Sequence, residues 1–502
     1  MIVSYHLEIY QFFNLARRND NMETVNIQLA LLILASSVQG EPCPQTCRCS
    51  YGSIFCDGDR DNITTIFPIS QSYSWPSSLF VSDTDIPSLQ SGQIVLPFMP
   101  NLFSLNLPHN QIWAVNESLI GNNSHISYLS LTYNNLTRIP TELLLVLEDL
   151  ESVYLDWNQI VSVPPFAFHM NMKLLSLSLT YNKIHTTTPD SFRGLEQLKE
   201  LQLFDNILSD FPLDELKHGS LTNLTSLHLH ENVMSNIILT VSESCFSLSS
   251  LRVISFNFNR LNRLDKNAFS AFRNLNSFYA RDNTIHEVDD LLFGSEPHHL
   301  EILILRNNSL SEIPTQLLLH LPDLRLLSLR ANKITYVPKN AFVSNDRLAT
   351  VSLSHNWIVS LDISSLQGLN RLDRLDLQGN NLTRLPEEIF DPVGDFGIDL
   401  RDNPWFCDCK IIFLKTWILR SQYFRHEMLC TNPIEYRGID VNALPFIPCV
   451  ATTSRPTVVM DTSVALVTGS LANDAHYNNS SSGPLYFAVC FVMFLFFSVR
   501  IE

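Results

Sequence analysis

Glycine is scarce, 15 of 502 residues. A chain so poor in it is neither a collagen nor a Gly-rich linker protein. Basic residues are the minority, 33 Lys and Arg against 50 Asp and Glu, for a formal charge of −17. An acidic balance argues against nucleic acid as the main partner, because phosphate binding calls for a basic face. Charged residues make up only 17% and apolar ones 45%, so the chain buries a large core and is not a disordered one. Catalytic signatures are missing too: there is no G-x-S-x-G, no H-E-x-x-H and no phosphate loop. Neither an enzyme nor a cofactor is expected. Asp57 to Asn62 opens like a calcium loop, but Asn62 stands where an EF-hand takes Gly and Pro68 where it takes Glu, so a solvated loop is expected. His298 and His299, next to Pro297, have no third ligand at useful spacing and are expected at the surface.

Cysteine is nearly absent from the middle of the chain. Cys43, Cys47, Cys49 and Cys56 cluster near one end, and Cys407, Cys409, Cys430 and Cys449 near the other; Cys245 and Cys490 stand alone. Clusters at both ends of a cysteine-poor middle look like stapled caps. Cys245 is expected to be a buried free thiol.

What the middle does contain is a repeat. The pattern L-x-x-L-x-L-x-x-N fits Leu102, Leu105, Leu107 and Asn110. Its asparagine recurs at Asn134, Asn158, Asn182, Asn206, Asn232, Asn259, Asn283, Asn308, Asn332, Asn356, Asn380 and Asn403, 293 residues in 12 steps from Asn110. A weaker first copy puts Thr84 at the asparagine position, and Pro recurs six residues after it at Pro140, Pro164, Pro212, Pro314, Pro338 and Pro386. Alternating Leu-x-Leu makes a short strand with one buried face, and stacked copies bury a core that no single copy could. The asparagine, which can donate and accept, is expected to turn inward and satisfy backbone groups of neighbouring turns.

This pattern over about 76–403 resembles the extracellular leucine-rich repeat family in its 24-residue form. The cluster at 43–56 is similar to that family's N-terminal cap, and Asn403-Pro404-Trp405-Phe406-Cys407-Asp408-Cys409 with Trp417, Cys430 and Cys449 to its C-terminal cap. The resemblance implies an α/β repeat fold: a curved solenoid with a parallel sheet on its concave face and disulfide-stapled caps. It also implies the pairs Cys43–Cys49, Cys47–Cys56, Cys407–Cys430 and Cys409–Cys449.

The ends of the chain carry further signals. Residues 27–35 are apolar and small residues follow up to Gly40, which reads as a secretory signal peptide, with Met22 an alternative start to Met1. Leu485 to Phe497 is a 13-residue apolar run with five residues after it. At about 1.5 Å per residue its helix falls short of a hydrocarbon core of about 30 Å. With the small residues at Asn473 to Ala475 and a polar spacer upstream, it matches a glycosylphosphatidylinositol attachment signal. A short single-pass span is the alternative. The expected organisation is a signal peptide over 1–40, an N-terminal cap over 41–75, repeats over 76–403 and a C-terminal cap over 404–450. A Ser/Thr-rich stalk over 451–483 and the anchor signal over 484–502 complete it, with Asn473 the expected attachment residue. Sequons occur at Asn62, Asn116, Asn122, Asn135, Asn223, Asn307, Asn381, Asn478 and Asn479.

The register also locates a candidate binding surface. Side chains two, four and six before each ladder asparagine should leave the sheet on its concave face. In the N-terminal half these are mostly Ser and Thr. Further on they are Val253, Tyr279, Ile302, Ile304 and Leu326, with Arg281, Arg306 and Arg330 in one column on successive repeats. An apolar patch beside an arginine ladder has the make-up of an interface for an acidic partner; the alternative is that Asp282 and its neighbours neutralise the arginines. A second candidate is the aromatic strip Tyr133, Trp157 and Tyr181, each just before its ladder asparagine. The expected function is protein recognition at the extracellular face of the plasma membrane, in adhesion or as a ligand-binding co-receptor. The partner is an extracellular or cell-surface protein, the membrane is reached through a lipid anchor, and signalling needs a transmembrane co-receptor. A secreted carrier or matrix subunit is the alternative.

Overall fold

The computed structural model describes residues 43–447 apart from 45–46, 58–73, 85–95, 97, 116, 189, 211–220, 238–249, 394–395, 421–426 and 446. The signal peptide, the Asp59–Asn62 loop, Asn116, Cys245, Cys449, the stalk with Asn473, Asn478 and Asn479, and the apolar run with Cys490 all lie outside the described residues.

Each repeat contributes a three-residue strand with its central side chain inward. Leu177, Leu201, Leu303 and Leu327 hold these positions at 0% exposure. Burying one such side chain stabilises by about 1.5–3 kcal/mol, too little to order a lone repeat. Stacked, the strands form one 16-stranded sheet in chain order. The first two strands, Arg48–Ser50 and Ser53–Asp57, pair antiparallel inside the N-terminal cap. Every later neighbour pairs parallel, in register repeat upon repeat. The weak first copy is real: Leu79 and Val81 are fully buried and Thr84 is 3% exposed.

The expected solenoid of parallel strands is present, and the return path of each repeat is mostly turns with little helix. Only two short α-helices occur on this path among the described residues, Thr141–Val146 and Thr315–Leu319. Pro140 and Pro314 stand immediately before them, where a missing N–H costs nothing. Their trailing carbonyls are taken by the next repeat: Asn171 Nδ2 donates to Leu144 and Leu147, and Asn345 Nδ2 to Leu318 and Leu321, all within 2.9 Å. Phe168, Phe192, Phe269, Phe293 and Phe342 fill the core behind the sheet. Gly194 and Gly368, at φ +94° and +97°, let these turns touch; a Cβ on either would come within 2.8 Å of the backbone of His169 or Val343.

The ladder asparagines behave as expected. Twelve times the Oδ1 accepts the backbone N–H of the residue two past the previous asparagine, from Ile112 N on Asn134 to Leu382 N on Asn403. Each Nδ2 donates back to a carbonyl of the previous strand and to its own turn, as Asn182 does to Leu155, Leu179 and Thr180. At the start of the ladder, Thr84 donates both its N–H and its hydroxyl to Asn110 Oδ1. At its end the Leu400 carbonyl, which a fourteenth asparagine would take, accepts instead from Trp405 Nε1 at 3.1 Å.

Disulfides join Cys43–Cys49 and Cys47–Cys56 in the first cap and Cys407–Cys430 in the second. Cys409 is also disulfide-bonded. One surface expectation fails: His298 is buried at 2%, with its Nε2 against the Phe272 carbonyl at 2.9 Å and its ring beside Phe293. His299 is exposed and meets Asp323 at 2.6 Å.

Candidate binding face

The strand register brings the apolar candidates together. Ile302 pairs with Leu326, Tyr279 with Ile304, and Ser277 lies between Val253 and Ile302. Parallel strands lie about 4.8 Å apart, so these side chains form one patch on the solvent-facing side of the sheet across four neighbouring strands. Val253, Tyr279, Ile302, Ile304 and Leu326 are each half-buried, shielded by one another yet open to solvent on one side.

The arginines flank this patch but splay apart. Arg281 leans toward the preceding repeat, its guanidinium 4.8 Å from the centre of the Phe258 ring and its Nε 3.6 Å from Asp282. Arg330 leans the other way and donates to Ser354 Oγ at 2.8 Å and His355 Nδ1 at 3.0 Å. Arg306, between them, is exposed and makes no ion pair among the described residues. Like charges on adjacent strands repel, and the outer two have found partners away from the middle one. Asp282 therefore neutralises one arginine of the three.

The aromatic strip is a true stack. Tyr133 and Trp157 lie 5.0 Å apart, and Trp157 and Tyr181 3.9 Å, both pairs with planes 9° apart. His109, which also precedes its ladder asparagine, extends the stack at 4.2 Å from Tyr133 and was missed. The rule that picks out the other three would have found it. A shallow groove of about 580 Å³ runs along this row from Asp83 to Asp205. Every residue that precedes a ladder position is left-handed, with φ of +52° to +68°. That turn throws the side chain outward while the asparagine tucks in. For a bulky residue the conformation costs about 1–2 kcal/mol, and stacking at about 0.5–1.5 kcal/mol per pair offsets much of it.

In the same outward row the stack gives way to acids, Asp205 and Glu231. Burial, then the hydrogen bond and charge of Glu231, push the Asp205 carboxyl above the usual carboxylate range. His230 beside them offers little positive charge, because burial brings its pKa down to about 4. Elsewhere on the sheet face charge is locally satisfied: Asp156 accepts from Ser178 and Thr180, and Arg401 is clamped by Asp399. The sequon asparagines with described side chains, Asn122, Asn135, Asn223, Asn307 and Asn381, are all exposed. Of the nine sequons, none falls on the columns that line the sheet face.

A stack of parallel strands with an asparagine ladder and cystine-stapled ends defines a capped solenoid. Family models described as "Leucine rich repeat" match residues 100–160, 148–208 and 298–358, and "BspA type Leucine rich repeat region (6 copies)" matches 215–321. The chain belongs to the leucine-rich repeat family, in its disulfide-capped form. It is 30% identical over 95 residues to a phospholipase A2 inhibitor of Gloydius brevicaudus siniticus, covering 18% of this chain and 28% of that protein. It is 27% identical over 266 residues to the leucine-rich repeat transmembrane protein FLRT2 of Rattus norvegicus, covering 52% of this chain and 35% of that one. The chain thus spans well under two thirds of either relative. Among solved structures, that of the Drosophila Toll–Spatzle complex superposes with a TM-score of 0.56 at 22% identity, covering 74% of this chain and 54% of that one. The fold is shared with that structure.

Proposed function

We propose that this chain is a protein-recognition molecule of the cell surface, acting in adhesion or as a ligand-binding co-receptor, and that its partner seats on the sheet face around Ile302, Ile304 and Arg306. The observation that carries this reading is the contiguous patch of five apolar side chains beside three arginines, on a face free of sequons. Solvated apolar side chains flanked by an unpaired guanidinium gain most when a partner excludes water, and that is the profile of a binding hot spot. The partner's contacting surface carries a carboxylate opposite Arg306 and apolar groups over Ile302 and Ile304. The relatives support the class: one is named as an inhibitor of phospholipase A2 and another is solved with Spatzle. Nothing in the patch offers a nucleophile or an acid–base pair, which favours binding over catalysis.

The test is a cell-surface screen against an array of extracellular domains, followed by the same screen with Ile304→Asp and Arg306→Glu. Each substitution should weaken the strongest interaction by at least about tenfold, as loss of a central hot-spot contact does, with surface delivery unchanged. Full retention by both variants overturns the proposed seat. Attachment through a lipid anchor belongs to the same reading. Phosphatidylinositol-specific phospholipase C should release the protein from cells; retention would favour a membrane span, and protein already in the medium the secreted carrier.

A further inference from the structure

Past each ladder asparagine the chain turns onto the flank of the solenoid. In the repeat of Asn356, Trp357 is 53% and Val359 54% exposed, while Ile358 between them is fully buried. In the repeat of Asn110, Ile112 is fully buried and Trp113 is 48% exposed. The residues one and three past the asparagine are thus the flank positions. Over the twelve repeats from Asn110 to Asn380, tryptophan takes either of them only at Trp113 and Trp357. A sequon asparagine takes the first of them only at Asn135 and Asn381. Each of these sequons stands in the repeat that directly follows a tryptophan. The sequences around the two tryptophans differ, Asn110-Gln111-Ile112-Trp113 against Asn356-Trp357-Ile358-Val359, so the coincidence is not a copied segment.

We propose that Asn135 and Asn381 carry N-linked glycans, and that the first N-acetylglucosamine of each lies back over the preceding repeat, on Trp113 and Trp357. The turns are joined where the sugar begins: the Asn135 N–H donates to the Ile112 carbonyl at 2.8 Å and the Asn381 N–H to the Ile358 carbonyl at 2.9 Å. Asn381 is level with Trp357, about one strand spacing of 4.8 Å away. Asn135 is diagonal to Trp113, and diagonal neighbours lie about 7–8 Å apart, within reach of so large a side chain. Both asparagines are exposed. Asn223 and Asn307, by contrast, already use the Nδ2 that takes the sugar, donating to the Glu196 carbonyl at 2.8 Å and to Asp282 at 2.6 Å. The donor is a lipid-linked oligosaccharide pyrophosphate. The bond from Nδ2 to the sugar C1 forms and the bond from C1 to the pyrophosphate oxygen breaks. The lipid pyrophosphate leaves with the electron pair, and one amide proton passes to a base of the transferring enzyme. The sugar ring has an apolar face of C–H bonds, and an indole is a broad flat partner for it. An indole half open to water loses that exposure when the ring lies on it. The placement uses no residue of the proposed partner seat and keeps two glycans on the flank, away from the sheet face.

The full chain is produced in animal cells, and the peptides holding Asn135 and Asn381 are read by mass spectrometry; both should carry glycan. Tryptophan exposure is then read by hydroxyl-radical labelling of the folded, glycosylated protein. Thr137→Ala and Thr383→Ala each remove one sequon and leave its asparagine in place. Trp113 should label about two- to tenfold faster in Thr137→Ala, and Trp357 in Thr383→Ala, the range that one stacking contact sets. Each change should leave the other tryptophan as it was. Trp157, 44% exposed and followed by Lys183 at the flank position, should be unchanged in both. Trp357→Ala should keep Asn381 occupied and let an endoglycosidase trim its glycan faster on the folded protein. Either asparagine found bare, or equal labelling with and without the glycan, overturns the proposal. So does faster labelling of Trp157 in place of Trp113 in Thr137→Ala, because that glycan then lies forward. No partner enters these readings, so the proposal and the partner seat on the sheet face can fail separately.

Discussion

His230 points out of the sheet with its ring stacked on Phe204, centroids 4.2 Å apart. Burial lowers its pKa from 6.5 to about 4, and burial also lowers those of His228 and His298. Below pH 6.5 the unfolded chain takes up protons that the folded chain refuses, so stability is kept above that value and lost as the pH falls toward 4. The thermal midpoint should drop by about 3–5 °C between about pH 7 and about pH 4.5. His230→Phe, which keeps the stack and removes the proton site, should show a smaller drop by differential scanning calorimetry; an identical drop would place the effect elsewhere. Single residues were unevenly legible in the sequence. The ladder asparagines announce themselves because a periodic polar residue inside an apolar pattern has to serve the backbone. His298 does not, because burial of one imidazole against Phe272 and Phe293 comes from the neighbouring turns and leaves no periodic trace.

At the scale of an element, a strand of three residues is held less by its own bonds than by the asparagine that follows it. The C-terminal end shows this best, where Trp405, 1% exposed, gives its indole N–H to the carbonyl that another asparagine would have taken. Trp405→Phe preserves most of the ring and removes the donor. It should cost about 0.5–1.5 kcal/mol, the net worth of one hydrogen bond, because the Leu400 carbonyl keeps its bond from Asn403 Nδ2 at 3.2 Å. Hydrogen exchange should speed up first in the strand Gly397–Asp399; equal protection there would mean water replaces the indole. The strands, their register and their buried faces could all be read from spacing, since period two and period 24 both leave marks. The return paths could not. Whether a given turn becomes the helix Thr141–Val146 or the two-residue strand Ser162–Val163 depends on packing against the adjacent turn. The outer faces were legible in part: spacing placed Arg281, Arg306 and Arg330 in one column, but not that two of them would turn away to Phe258 and His355.

Across the whole molecule each repeat touches only its neighbours, so stability is close to a sum of repeat and contact terms, and the exposed ends decide where unfolding starts. Replacing Cys407 and Cys430 together by Ser should cost about 2–5 kcal/mol. It should turn one cooperative transition into fraying from the C-terminal end, seen as early protease cleavage beyond Asn380; cleavage that still begins at the opposite end would show that the two caps are not equivalent. Nothing inside a turn fixes how many turns there are. The count is settled where Trp405 closes the row of asparagines. A tandem duplication of one repeat would therefore remake every ladder bond and leave the fold of each turn as it is. Yet one extra turn between Asn259 and Asn283 would part Val253 from the patch around Ile302 and Ile304. For such a chain, length is a recognition trait before it is a structural one, and change in repeat number is a route by which new partners arise without loss of the scaffold.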